Sequence, residues 1–145
     1  MAKKTEAKIF GTFIDRNMKI IRSNYLKVFK EIGVDITTEQ WVLMDCLYEK
    51  DGLSQTELAT QSFKNAPTVS RIIDLLCKKD LAERLRFDND RRRYKIFLTK
   101  NGKETYEKAY PHVIELRKKG WNGLSDSDYT SFLRIMNQIS SNYES

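Results

Sequence analysis

One histidine, two cysteines and two prolines stand in this 145-residue chain, and each scarcity removes a class of function. His112 alone cannot assemble a zinc site, and Cys46 and Cys77, 31 residues apart, make neither a disulfide framework nor a metal knuckle. Glycine-rich phosphate loops and paired metal motifs are absent from the sequence. The carboxylates stand singly among lysines, and no nucleophile, base and acid can be built around one histidine beside Pro111. The chain therefore reads as a protein that is not an enzyme and needs no metal or cofactor. No apolar run approaches the roughly 18 residues that span a bilayer, and the opening "MAKKTEAK" lacks an apolar signal core. A cytoplasmic protein with reduced thiols and no membrane partner is expected.

What the sequence does hold is charge, unevenly placed. Residues 64–103 carry 12 lysines and arginines against 5 acidic residues, while the remaining chain carries 14 against 15. The whole positive excess thus lies in one stretch, and a polyanion such as double-stranded DNA is the partner that stretch attracts, through phosphate contacts that release counterions.

The same stretch has a mechanical order: short helix, turn, second helix, strand, charged tip, strand. Ser54 with Glu57 forms a capping box for the short helix through Leu58 and Ala59. Asn65 is an N-cap, and Pro67 falls in the first turn of the next helix, where its missing N–H costs nothing. In that helix Val69, Ile72, Ile73, Leu76 and Cys77 recur at three and four residues, which leaves Thr68, Ser70, Arg71, Asp74 and Lys78 outward. "LAERLRF" and "RYKIFLT" then alternate at period two around the tip "DNDRR", the pattern of a hairpin with a cationic end. This is a winged helix-turn-helix: mainly α, with a small β-hairpin wing. Thr68 and Arg71 are placed to reach base edges in a major groove, Ser70 to reach bases or phosphate, and Lys64 and Asn65 to meet the backbone, with Pro67 beside them as a sixth DNA-binding position at the helix head. At the wing, Asp90 can hold one guanidinium while another, from Arg91 or Arg92, projects into a minor groove.

These residues resemble the MarR family of bacterial transcription regulators. The likeness rests on Glu57-Leu58-Ala59, on Thr68 to Leu76, on Asp90-Arg91-Arg92, and on Leu98-Thr99 with Gly102, in that order and spacing. In the family the arginine two positions after the aspartate faces the groove or pairs with the aspartate, which carries over to Arg92, with Arg91 its companion and Asp90 the support. Phe87 stands where the family's wing commonly has an acidic residue. The resemblance implies a single domain over 1–145, with dimerisation helices at about 5–32 and 100–143 flanking a DNA-binding lobe at about 37–99. It further implies a homodimeric regulator, usually a repressor on a pseudo-palindromic operator. A small aromatic or phenolic effector would enter a crevice near Tyr25, Trp41, Met44, Tyr48 and Tyr110; the alternative is that these five side chains simply fill core.

The flanking sequence fits that frame. From about Thr5 to Ile32 the apolar residues keep a helical period, and a helix of that length is roughly 40 Å long, too long for one small core to cover. Gly33 is a helix stop, Thr37 with Gln40 a capping pair, and Gly52 the next end. Thr99 opens a helix that Pro111 is expected to kink, Gly120 and Gly123 bracket a break, and Ser125 with Asp128 starts a last helix. That last helix needs a partner, and the first helix of a twofold-related chain is the natural one. Two other functions stay open at this level: a winged-helix module that docks a protein and binds DNA nonspecifically, and a redox-sensing regulator using Cys46 or Cys77. No sequence neighbour of Cys46 argues for a lowered pKa, Cys77 falls on the apolar side of its helix, and the family's peroxide sensors use a cysteine in the first helix, where this chain has none.

Overall fold

A computed structural model describes residues 10–86 and 94–144. The elements are α1 (Phe10–Glu31), α2 (Thr38–Glu49), β1 (Leu53–Ser54), α3 (Gln55–Ser62), α4 (Ala66–Lys78), β2 (Ala82–Arg86), β3 (Tyr94–Leu98), α5 (Lys100–Gly120) and α6 (Asp126–Glu144). The chain divides into two compact units between Val113 and Ile114.

Short polar side chains start the helices where the sequence places them. Thr37 Oγ1 accepts the Gln40 N–H at 3.1 Å, and Gln40 Oε1 accepts the Thr37 N–H at 3.2 Å, which closes the box that opens α2. Ser54 and Glu57 do the same for α3, and Ser125 and Asp128 for α6. Asn65 Oδ1 accepts the Thr68 N–H at 2.9 Å at the head of α4. Each cap satisfies N–H groups that a helix start otherwise leaves without partners. Gly33 ends α1 with a φ of +74°, a left-handed backbone that glycine adopts without strain.

The expected start of α1 near Thr5, with Ile9, lies outside the described residues. Two features differ from the sequence reading. Helix α2 stops at Glu49, before Gly52, because Lys50 turns extended and Asp51 accepts the Leu98 N–H at 3.1 Å, drawing the chain toward β3. Strand β1 was not expected at all: two residues are too few to display a period, yet Leu53 pairs with Ile96 and makes the sheet three-stranded, ordered β1-β3-β2. Pro111 lies inside α5 without ending it.

The core of the first unit lies under α4. Val69, Ile72, Ile73 and Leu76 are buried against Leu43, Met44, Leu47, Leu53, Leu58 and Ile96. Helix α1 contributes Phe29 as its one buried residue, whereas Phe13, Ile14, Met18, Ile20 and Ile21 are exposed along it. In the second unit, α6 has no buried residue and exposes Tyr129, Phe132, Leu133 and Ile135. Each of these two long helices therefore exposes large apolar side chains among the described residues.

Candidate nucleic-acid interface

Helix α4 is fixed from beneath by its buried stripe and at its head by the Asn65 cap, so its outer residues are held on a rigid element. Pro67 and Arg71 are exposed, Thr68 and Ser70 are half-buried, and Lys64 and Asn65 lead into the helix from the preceding turn. The six residues expected from the sequence in this region therefore share the head and outer side of one helix. Asp90, Arg91 and Arg92 lie outside the described residues.

Two side chains tie into this surface that sequence reasoning did not single out. Glu39, in the first turn of α2, accepts an ion pair from Arg71 Nη2 at 3.3 Å, with both groups substantially open to water. A pair of that kind contributes about 0.2–1 kcal/mol and yields readily to a phosphate or base. Arg84, on β2, reaches Asp74 Oδ1 at 2.6 Å and the Ser70 carbonyl at 3.4 Å. Arg84 therefore joins β2 to α4 and neutralises the exposed Asp74 carboxylate on the outer side of α4. Both partners are separated in sequence from the residues they hold, and no local spacing announces either pair.

The expected effector residues divide between core and surface. Trp41 and Met44 are buried, Tyr25 is half-buried with its ring edge toward Phe29, and Tyr48 and Tyr110 are 42% and 43% exposed. Tyr106, which the sequence did not mark, is the ring that gathers three of them. It stacks on Trp41 at 4.6 Å and on Tyr48 at 4.2 Å, and it touches Tyr110 at 5.7 Å. Its hydroxyl donates to Asp45, and the Tyr48 hydroxyl donates to Glu107 at 2.8 Å, so two phenol–carboxylate bonds stitch α2 to α5. The Glu107 carboxylate, by accepting that proton, raises the Tyr48 pKa above its ordinary value. Among the described residues, Trp41 Nε1–H is buried without an acceptor. A separate cleft of about 360 Å³ lies between Val34, Lys79, Asn101 and Lys108, and none of the five expected residues lines it.

Neither thiol is held below its ordinary pKa. Burial raises the thiol pKa of both, helped at Cys46 by Asp45 and Glu49 and opposed at Cys77 by Arg84. A thiol held above its usual pKa is mostly protonated at neutral pH and a poor nucleophile. Iodoacetamide at pH 7.5 is accordingly expected to label the folded protein more slowly than the same protein unfolded in urea, as mass spectrometry would report. Equal rates in the two states would contradict this assignment. Among the described residues, no three histidine, cysteine or acidic side chains converge as a metal site, and no helix is long and apolar enough to cross a membrane.

Comparison with known proteins agrees with this geometry. The family model described as "MarR family" matches residues 36–94. The HTH-type transcriptional regulator FarR of Neisseria gonorrhoeae is 35% identical over 81 residues, covering 56% of each chain. The HTH-type transcriptional regulator YhbI of Bacillus subtilis is 31% identical over 105 residues, 72% of this chain and 66% of that one. This chain thus aligns with little more than half of FarR and just under two thirds of YhbI. Among solved structures, the Staphylococcus aureus MepR–DNA complex superposes with a TM-score of 0.82 at 24% identity, over 92% of this chain and 97% of that one.

Proposed function

Since the chain belongs to the MarR family, whose members are non-enzymatic DNA-binding regulators, we propose that it is a sequence-specific transcriptional repressor acting as a homodimer on a pseudo-palindromic operator. The observation that carries this reading is α4: a helix buried completely along one stripe, capped at its head, and presenting Thr68, Ser70 and Arg71 on the other side. Such a helix enters a major groove with its first turns toward the base edges. The local excess of cations over residues 64–103 supplies the nonspecific attraction to phosphate. In this account Arg71 exchanges Glu39 for DNA, and Arg92, with Arg91 beside it and Asp90 in support, enters the neighbouring minor groove.

The homodimer is supported by the uncovered apolar faces of α1 and α6, which a twofold-related copy would bury. The effector is supported by the aromatic stack around Tyr106, where flat rings, two phenol–carboxylate bonds and the unpartnered Trp41 N–H offer contacts to a small aromatic acid. A ligand that broke the Tyr48–Glu107 bond would loosen α2 from α5, and through α2 the elements beneath α4.

Arg71→Ala tests the reading. On a duplex recovered by selection from random sequence, the substitution should cost about 1–3 kcal/mol of affinity and relax preference at one base position in each half-site. On unrelated DNA its effect should be that of one lost charge. Fluorescence anisotropy across a salt series separates the two, and an Arg71→Ala protein that keeps full affinity and preference would contradict the assignment of α4 as the reading helix.

A further inference from the structure

Phe63 stands in the turn between α3 and α4 with two properties that a fold alone does not favour. Its backbone is left-handed, with φ at +55° and ψ at +35°. Its side chain is 95% exposed, the most exposed of the large hydrophobic residues described. An L-residue with a bulky side chain is strained in this region, and glycine or asparagine would hold the same backbone more easily. The turn gives no freedom to escape: the Phe63 N–H donates to the Thr60 carbonyl at 3.4 Å, and the Lys64 N–H to the Ala59 carbonyl at 3.1 Å. Ser62, buried beside it, donates to the Leu58 carbonyl at 2.6 Å, and Asn65 is committed to capping α4. The Cα that carries the ring is therefore fixed two residues before the N-cap of α4, on a strained backbone, with the ring open to solvent. Strain of this kind persists where a function uses the position.

We propose that Phe63 is a DNA-contacting residue, its ring lying against an apolar CH surface of the operator, a thymine methyl or a deoxyribose face, at the edge of the groove that α4 enters. The inference rests on the proposed function and adds to it an uncharged contact from the turn. The position favours DNA as the occupant: Phe63 is followed by Lys64, by the capped head of α4, and by exposed Pro67, so whatever α4 approaches the ring approaches too. Phenylalanine is among the side chains suited to a thymine methyl, and a deoxyribose offers similar C–H groups.

The test uses Phe63→Gly and Phe63→Asn in the full chain. Both variants suit the left-handed backbone, so both should fold with a melting temperature equal to or above that of the parent. On the selected operator each should bind about tenfold more weakly, since an apolar contact of partial-ring size is lost. The slope of log affinity against log salt should not change, because no charge is removed. Uracil-for-thymine duplexes then distinguish the two surfaces: parent affinity that falls at one position, with no further fall in the variants, places the ring on a methyl, and indifference to every replacement places it on deoxyribose. Variants that bind the operator as tightly as the parent would overturn the inference while leaving the regulator reading intact. Failure of the parent to prefer any sequence would instead bring down the reading on which the inference rests.

Discussion

Gly102→Ala is expected to destabilise the protein by about 3 kcal/mol, lowering the melting temperature by roughly 10 °C. The expectation reverses an ordinary rule, because alanine in a helix is normally better than glycine by about 1 kcal/mol. Gly102 lies in the first turn of α5, where its N–H donates to Thr99 Oγ1 at 2.9 Å. A Cβ built there would sit 2.0 Å from the Leu81 carbonyl oxygen. That oxygen cannot swing aside, since it also accepts the Thr99 N–H at 3.1 Å and belongs to the turn that leads from α4 into β2. The joint is further locked by Thr99 Oγ1, which donates to the Asp80 carbonyl at 2.6 Å. Close approach of α5 to this turn thus requires a residue without a side chain. The same substitution at Gly11 in α1, where a Cβ would meet nothing within 4 Å, should be neutral or mildly stabilising. Thermal unfolding followed by circular dichroism compares the two, and a Gly102→Ala protein as stable as the parent would show that the helix can withdraw from Leu81.

Tyr106→Ala should be comparably severe, costing about 3–5 kcal/mol, the range for deleting a buried aromatic ring. Tyr106 is 4% exposed, and both faces of its ring are used, one by Trp41 and one by Tyr48. Its removal also leaves Asp45 without the phenol that now donates to it. Tyr106→Phe keeps the stacking and loses only that donor, so it should cost about 1–2 kcal/mol. Urea unfolding read by Trp41 and Trp121 fluorescence gives both values. Equal losses in the two variants would place the stability in the Asp45 hydrogen bond and not in the rings.

These two positions also show what the sequence could and could not convey. The caps of α2, α3, α4, α5 and α6 were readable because each joins residues three apart, within the reach of local spacing. The buried stripe of α4 was readable for the same reason, and the antiparallel pairing of β2 with β3 from the period-two alternation of both strands around one polar tip. Tyr106 was not, because it faces α2 across 61 residues from Asp45 and looks in sequence like one more aromatic on a polar helix. Arg84 and Glu39 escaped for a like reason: their partners Asp74 and Arg71 sit on another element. Strand β1 owes its existence to Ile96 and carries no period of its own. Side-chain contacts between elements that no local period or spacing links were therefore the unreadable part, and Arg84 and Glu39 make two of them to α4.

In the proposed function α4 reads a sequence, and two copies do so on one duplex. Selection of binding sites by the purified protein from a random double-stranded pool, followed by sequencing of the survivors, tests both halves at once. The account predicts an enriched inverted repeat whose half-site centres lie about one helical turn apart, roughly 34 Å. Survivors with no shared sequence would contradict it, and would mark residues 64–103 as a basic surface that holds DNA without reading it.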